Sequence, residues 1–245
     1  MSSLNTAIEW TDRTWNPSTG CTKISPGCKH CYAEAVANRF TNHFPNGFDF
    51  TLHPERLTEP LRWRRPCRIF VNSMSDLFHE DMPMEFLWKV FDTIKSTPQH
   101  QYQILTKRHE RLLEMAGLLD IPPNAWIGVS VESQDYVERI DYLREVKARV
   151  RFVSFEPLLG PVRANLTGIH WIIVGGESGR NHRPIDADWV RSLRDQASSA
   201  GVAFFFKQWG GANSKAGGRE LDDRTWSEMP QMGVLPVKDS IASAP

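Results

Sequence analysis

The sequence predicts an α/β protein whose chain forms a partial β/α (TIM-like) barrel of six or seven parallel strands. Short runs rich in β-branched and aromatic residues alternate with amphipathic helical segments, which is typical of parallel β/α units joined by right-handed crossovers. Polar residues also recur on one face of two of the runs. Because parallel strands covered by helices on both sides are apolar on both faces, a polar face indicates the open lumen of a barrel.

The strand runs are bounded by turn residues, as strands usually are. The runs are 68–72, 102–106, 126–131, 151–155, 171–174 and 203–206, with a shorter first strand at 14–16. In one run, Gly128, Ser130 and the following Glu132 alternate with apolar residues, and Ser154 and Glu156 repeat this arrangement in the next. The apolar faces are therefore expected to meet the helices.

Helices are predicted between these strands. Within 83–98, which begins and ends with proline, apolar residues recur at i, i+3, i+4 and i+7. Ser133 is expected to cap a second helix. A third is expected to begin at Asp186 or Asp188 and to end at Gly201. Further helices are predicted at 32–40 and 107–116.

The 245 residues suffice for one β/α barrel domain. After residue 210 the composition shifts to Gly, Ser, Pro and charged residues. We therefore expect a barrel domain over 1–210 and a C-terminal flap with a loose tail over 211–245. Within the latter, 219–226 is predicted to form a small hairpin around Asp222-Asp223, and 235–245 to form the tail.

Charge and hydropathy restrict the function classes. Twenty-nine basic and 29 acidic residues give a formal net charge of zero, so no overall field attracts polyanions or anionic membranes, and nucleic-acid binding has to be local. No stretch approaches the roughly 20 apolar residues of a membrane helix, and no secretory signal is readable at the start. A cytoplasmic location without membrane contact is expected. Nine Trp and 13 Phe exceed what a core requires, which leaves some free for stacking or for lining a cavity.

Three of the four cysteines lie in one short segment, which favours a metal centre over a disulfide framework. Six residues separate Cys21 from Cys28, and two separate Cys28 from Cys31. The Pro26-Gly27 pair allows a tight turn that brings the three thiols together. Three thiolates suit a four-iron cluster with one open iron, whereas a structural zinc site normally takes four ligands.

Zinc is the alternative metal. A fourth ligand beside the three clustered cysteines could come from His30, His43 or Cys67, and an isolated C-x-x-C is often a zinc motif. The protein would then be a zinc-stabilised nucleic-acid-binding module without catalysis. Outside such a site, Cys67 is expected to be a small buried hydrophobe.

The cysteine segment, with His30 directly before its third cysteine and alternating strands and helices after it, resembles the radical S-adenosylmethionine enzymes. Its C-x6-C-x-x-C spacing differs from the common C-x-x-x-C-x-x-C of that superfamily. More closely, the chain resembles an uncharacterised phage-associated and bacterial three-cysteine-motif family over most of residues 5–230. The matching segments are IEWT (8–11), TWNP (14–17), GC (20–21), GC (27–28), CYAE (31–34), LTKR (105–108) and VGGESG (174–179).

This resemblance implies a cofactor class and a fold but no reaction. It implies a [4Fe-4S] cluster held by Cys21, Cys28 and Cys31, S-adenosylmethionine bound at the open iron, and an external electron donor. His30 is included among the cofactor-binding residues. A further alternative is an iron–sulfur protein whose cluster serves structure or electron transfer alone.

Residues at the ends of the predicted strands are expected to bind S-adenosylmethionine. The segment 72–76 lies where the superfamily commonly meets the methionyl amino group, although no Gly-Gly-Glu sequence follows this strand. The candidates are Ser73, Ser75, Asp76, Ser130, Glu132, Ser154, Glu156, Gly175 and Gly176. The glycines would let the backbone approach a ligand. Turn and capping roles are the alternative for all of them.

Charged residues at the strand ends are the catalytic candidates. A rim of mixed sign suits a polar small molecule or a nucleotide, which carries hydrogen-bonding edges and an anionic group. These candidates are Lys107, Glu177, Arg180 and Lys207.

A basic segment with an interleaved aromatic residue precedes the strand at 68–72. It would extend the contact to a nucleic acid by binding phosphates and stacking a base, and the alternative is a solvated linker. The segment comprises Arg62, Trp63, Arg64 and Arg65.

Overall fold

The computed structural model describes residues 6–213 and 215–230. Its strands are β1 (Arg13–Trp15), β2 (Ser18–Thr19), β3 (Thr51–Leu52), β4 (Arg68–Val71), β5 (Gln101–Thr106), β6 (Ala125–Ser130), β7 (Val150–Phe155), β8 (Trp171–Gly175), β9 (Ala203–Gln208), β10 (Glu220–Leu221) and β11 (Arg224–Thr225). Its α-helices are α1 (Tyr32–Arg39), α2 (Met84–Lys95), α3 (His109–Ala116), α4 (Arg139–Glu145) and α5 (Ala187–Ala200). Among the described residues, no helix is long and apolar enough to cross a membrane.

Seven parallel strands form the main sheet, in the order β1-β4-β5-β6-β7-β8-β9. The two edge strands, β1 and β9, are not paired with each other in the described chain. The curved sheet is therefore a half-barrel, which confirms the predicted α/β fold class and its partial barrel. Each predicted strand coincides with an observed one to within one or two residues at its ends.

The helices cover the outer face of this sheet. Val129 and Ile172, on the apolar faces of β6 and β8, belong to the same buried cluster as Val90 of α2 and Leu193 of α5. α5 begins as predicted, since the Asp186 side chain accepts a hydrogen bond from the Asp188 amide, and it ends at Gly201 in the left-handed conformation.

The predicted helix after Ser133 is wrong at its start. A 3-10 turn (Gln134–Tyr136) comes first, and α4 begins only at Arg139. The Ser133 hydroxyl donates to the Asp135 carboxylate at 3.4 Å and accepts no hydrogen bond from a backbone amide at the start of the 3-10 turn.

Aromatic side chains close the lower end of the lumen. They are Trp10, Phe70, Trp126, Phe152, Trp171 and Phe205, all buried in one cluster that is separate from the helix-side core. Gly128 gives the Phe152 ring room, because a Cβ at Gly128 would lie 2.6 Å from the ring. Several of the aromatic residues beyond the helix-side core thus fill the floor of the lumen.

The C-terminal segment packs along the edge of the sheet. β10 and β11 form the predicted hairpin, with Asp222 and Asp223 at positive φ in its turn. Beyond it, the Phe206 amide donates to the Trp226 carbonyl and the Glu228 amide donates to the Phe204 carbonyl, so this segment covers the exposed edge of β9. The division at residue 210 stays a prediction, and the predicted tail at 235–245 lies outside the described residues.

Candidate functional site

The three-cysteine segment lies over the carboxyl ends of the strands. It projects from a small antiparallel ribbon formed by β2 and β3. The Gly20 amide donates to the Met74 carbonyl, just after β4, and further contacts reach the residues that follow β5, β6 and β8. Active sites of β/α barrels are built at this end.

Cys21 is held from the end of β5. The Arg108 guanidinium donates from Nη1 to the Cys21 Sγ at 3.4 Å and from Nη2 to the Thr22 carbonyl at 3.2 Å. Burial, followed by the charge of Asp76, raises the pKa of the Cys21 thiol to about 11, and Arg108 opposes part of this rise.

Cys28 is held from the end of β6. It closes a 3-10 turn (Pro26–Cys28) that confirms the predicted tight turn. The Ser25 hydroxyl donates to the Glu132 Oε1 and lies 3.6 Å from the Cys28 Sγ. Gly27 contacts the same carboxylate, and a Cβ there would lie 2.4 Å from the Glu132 Cγ. Only glycine lets the turn approach this strand end so closely.

Glu132 is a fully buried carboxylate. Its Oε2 accepts a hydrogen bond from the Arg139 Nη1 at 2.9 Å, and the Lys107 Nζ lies 3.4 Å from its Oε1. Arg139 is buried as well, and it also donates to the Ser130 carbonyl. Buried charges are found paired in this way because an unpaired one is costly.

Cys31 is the N-cap residue of α1, and its neighbour His30 is tied to the end of β8. The His30 Nδ1 lies 3.0 Å from the Glu177 Oε2. Arg183 donates to both oxygens of Glu177 and also to the Pro26 carbonyl in the cysteine segment. Burial opposes ionisation of Glu177, but the hydrogen bonds from Arg183 and His30 outweigh it and lower its pKa to about 2. Glu177, predicted as a catalytic residue, thus has both oxygens engaged in holding the cysteine segment.

The Glu177 ion pair has a measurable pH signature. A carboxylate whose pKa is lowered in the folded state stabilises the fold above its unfolded pKa, near 4.5, and this contribution is lost as pH falls towards 2. Glu177→Gln is therefore expected to lower the free energy of unfolding at pH 7 by up to about 3 kcal/mol, with a smaller difference at pH 2.5. Urea unfolding at both pH values measures this. Glu138→Gln, at an exposed position, should change neither value, and a pH-independent loss in Glu177→Gln would contradict the assignment.

The donor set fits an iron–sulfur cluster. Cys21, Cys28 and Cys31 are free thiols on one segment, and a hydrogen-bond donor faces the sulfur of Cys21. Across 6–213 and 215–230, no three Cys, His, Asp or Glu side chains stand close enough together to hold a metal ion, so metal loading requires the thiols to approach each other. Since loading also replaces the thiol protons, it is expected to depend on pH.

Cys67 is too distant to supply the fourth ligand of a zinc site. It precedes β4, at the opposite end of the sheet, where its thiol lies 3.4 Å from the His100 Nδ1. His30 is bonded to Glu177 through its Nδ1, which leaves its Nε2 free. Metal-bound histidines commonly have such a carboxylate partner, so zinc held by the three cysteines and a histidine stays an alternative.

Small and charged side chains line the upper lumen. Ser130 and Ser154 pair in register on β6 and β7, and both are buried. Beside them, the Lys207 Nζ lies 2.5 Å from the Glu156 Oε1, and Gly175 leaves room for this pair, since a Cβ there would lie 3.3 Å from the Glu156 carboxylate. Gly176 passes so close to the Trp209 carbonyl that a Cβ would lie 2.1 Å from its oxygen. These glycines therefore serve packing in addition to any ligand.

The predicted cofactor-binding segment after β4 makes mostly internal contacts. Asp76 accepts hydrogen bonds from the Thr106 hydroxyl, the Lys107 amide and Arg108. Ser73 donates to the Asn16 side chain, and the Ser75 hydroxyl lies 2.8 Å from that of Ser18, so these hydroxyls face the chain after β1. The buried side-chain oxygen of Asn72, at the start of the segment, has no partner among the described residues.

Two predicted groups lie away from the contacts around the cysteine segment. Arg180 is exposed and its catalytic role stays a prediction, whereas Arg183, which the sequence did not single out, contacts Glu177. The basic segment lies at the amino end of β4, where the His100 Nε2 lies 2.9 Å from the Trp63 carbonyl. The segment is therefore at the opposite edge of the sheet from the cysteines, and its contact with a nucleic acid stays a prediction. The Arg13 guanidinium lies 4.6 Å from the centre of the Trp63 ring, so one face of this ring is already covered.

The chain matches one known protein family. Residues 5–230 match the family described as "Protein of unknown function (DUF5131)". The chain belongs to this family. No curated protein sequence matches the chain.

Solved structures of spore photoproduct lyase, a radical S-adenosylmethionine enzyme, are similar in fold. A cysteine-to-serine mutant of that enzyme aligns with a TM-score of 0.57 at 12% identity, covering 84% of this chain and 80% of that one. The enzyme complexed with dinucleoside spore photoproduct aligns with a TM-score of 0.50 at 12% identity, covering 80% and 64%. A tyrosine-to-phenylalanine mutant gives 0.50 at 12%, covering 81% and 65%. At this identity the likeness concerns the fold.

Proposed function

We propose that this protein is an iron–sulfur enzyme that reductively cleaves S-adenosylmethionine and uses the resulting radical on a polar substrate of the nucleotide class. One observation carries the proposal. Three free thiols lie on a segment that Arg108, Glu132 and Glu177 tie to the carboxyl ends of three different strands of a parallel half-barrel. A segment fixed in this way suits a reactive centre above a lumen.

Cys21, Cys28 and Cys31 would hold a [4Fe-4S] cluster with one iron open. When bound, the cluster supplies one electron, taken from an external donor, that breaks a carbon–sulfur bond of S-adenosylmethionine and leaves methionine and a deoxyadenosyl radical that takes a hydrogen atom from the substrate. The residues of this chain bind and orient the reactants, and they keep water from the radical.

The upper lumen has the groups that a zwitterionic nucleoside needs. The hydroxyls of Ser130 and Ser154 can bond to ribose. Lys107, beside Glu132, can meet a carboxylate, while the unpaired Asn72 oxygen can accept from an ammonium group. These assignments rest on position at the strand ends.

The substrate class follows from the rim and from one structural relative. Lys207 forms an ion pair with Glu156 whose two side chains are each about one-fifth exposed, so the pair reaches the solvent at the mouth. Such a pair can exchange its internal contact for an anionic group and a hydrogen-bond donor of a ligand. Spore photoproduct lyase, which shares the fold, has been captured with a dinucleoside, and a nucleotide carries both kinds of group.

The proposal is tested on the anaerobically reconstituted full chain. With dithionite as the electron donor, the protein is expected to convert S-adenosylmethionine to methionine and 5′-deoxyadenosine, measured by chromatography. Cys31→Ala should give none. In a second arm, equilibrium dialysis should detect binding of a thymidine dinucleotide that Lys207→Ala weakens by tenfold or more.

The outcomes separate the alternatives. Bound zinc in place of iron would favour the non-catalytic module. An iron–sulfur cluster without cleavage above the Cys31→Ala control would favour a role in electron transfer. Cleavage without dinucleotide binding would retain the cofactor chemistry and direct the search to a polar small molecule.

A further inference from the structure

Arg108 is a buried cation whose hydrogen-bonding capacity is fully used. Its side chain is 8% exposed. Nε donates to the Glu80 carboxylate at 2.8 Å, and Nη1 donates to Asp76 at 3.2 Å and to the Cys21 Sγ at 3.4 Å. Nη2 donates to the carbonyl of Thr22 at 3.2 Å and to its hydroxyl at 2.7 Å. All five N–H groups of the guanidinium therefore have a partner.

These contacts fix the side chain in one orientation. Asp76 is itself held by the Thr106 hydroxyl through both oxygens, so the carboxylate that positions the guanidinium cannot turn freely. Thr22, on the other side, donates to Glu80. The guanidinium that faces Cys21 is thus held by Asp76, Glu80 and Thr22 together.

We propose that Arg108 is the positioning residue of the metal centre: it holds the Cys21 sulfur in place and raises the reduction potential of the cluster bound there. The inference rests on the proposed function and adds a residue that determines how easily the site accepts an electron. Arg108 touches the ligand Cys21 and acts on the cluster through it.

The physical reason is the charge of the reduced state. Each electron added to a cluster increases the negative charge on the ligand sulfurs, and a hydrogen bond or a positive charge at a sulfur favours that state. The effect is strong at Arg108 because its side chain is largely buried, and charge interactions are screened less in the protein interior than in water. Glu80 acts in the opposite direction, since its carboxylate lies on the other side of the same guanidinium.

A pair of variants separates this role from a merely structural one. Arg108→Met and Glu80→Gln both remove the ion pair between Arg108 and Glu80, so a loss of structure alone would move the potential in the same direction in both. If Arg108 tunes the cluster, Arg108→Met lowers the potential because a cation is lost, and Glu80→Gln raises it because an anion is lost. Arg108→Lys, which keeps the charge, should lie between Arg108→Met and the wild type.

The measurement is an anaerobic redox titration of the reconstituted protein without S-adenosylmethionine, followed by electron paramagnetic resonance of the reduced cluster. Arg108→Met is expected to lower the ratio of reduced to oxidised cluster at a fixed potential by about tenfold, which is 59 mV for one electron. Arg68→Met, which removes an arginine–carboxylate pair with Asp12 at the far end of β4, should leave the potential unchanged.

The results distinguish the two proposals. A wild-type protein that holds no cluster would overturn the proposed function itself. Suppose that the wild-type protein holds a cluster. If Arg108→Met then has the wild-type potential, or if Glu80→Gln shifts the potential in the same direction as Arg108→Met, only the role of Arg108 would be overturned. If Arg108→Met retains too little iron to titrate, Glu80→Gln decides: a raised potential supports the inference, and an unchanged or lowered one overturns it.

Discussion

Cys28→Ala is expected to leave the anaerobically reconstituted protein without a cluster, while Cys67→Ala retains it. Cys28 sits in the turn that Ser25 and Gly27 dock against Glu132, so it is held at the end of β6 on the segment that also carries Cys21 and Cys31. Two remaining thiolates cannot hold a four-iron cluster that needs at least three. Iron and sulfide per chain, together with the visible absorption of the cluster, measure the outcome, and the expected loss is nearly complete.

Cys67→Ala is a matched control because it removes one thiol at the opposite end of β4, next to His100. Both variants leave three cysteines in the chain. Loss of iron in Cys67→Ala together with retention in Cys28→Ala would refute the ligand assignment, and equal loss in both would indicate a ligand set that includes Cys67.

Glu132→Ala is expected to lower the free energy of unfolding of the metal-free protein by about 3–5 kcal/mol. The Glu132 side chain is fully buried, and its main partner, Arg139, is 3% exposed. Removing the carboxylate leaves the Arg139 cation buried without its counter-ion, which costs more than the ion pair contributed. Urea unfolding at pH 7 followed by circular dichroism gives the difference.

A nearby ion pair serves as the control for this effect. Asp141 and Arg144 form a pair on the same helix, α4, but the Asp141 side chain is 70% exposed. Asp141→Ala is expected to cost less than about 1 kcal/mol. If Glu132→Ala destabilised the protein no more than Asp141→Ala, Arg139 would have found another partner, and the described network around Cys28 would be incorrect.

The architecture was readable from the sequence because each strand carries its own signal. The alternation of Gly128, Ser130 and Glu132 with apolar residues identified both the strand and its lumen face, and the spacing of residues in α2 identified the outer layer. The capping Asp186 and the terminating Gly201 also act locally. Signals of this kind lie within a few residues of one another, so no knowledge of the tertiary structure is needed to read them.

The partners of the cysteine segment were not readable in the same way. Arg183 and Arg108 contact residues that are far from them in the sequence, and neither stands in a periodic pattern. Arg108 did lie in the segment LTKR, at a predicted strand end, and two adjacent basic residues there were the available signal. The sequence carried no such signal for Arg139, because a buried arginine on a helix cannot be told from a solvated one in the sequence until its carboxylate partner is known.

The aromatic floor makes the lumen a well that is closed at the bottom. Trp10 and Trp126 each lie edge to face with Trp171 there, and Gln103 donates to the Trp10 carbonyl, so buried side chains of the described residues fill this end of the lumen. A reactant that enters by the mouth beside the cysteines therefore cannot pass beyond this layer. For a polynucleotide, only a residue turned out of its strand could descend to Ser130 and Ser154, and the cost of unstacking it would favour sites where stacking is already weak.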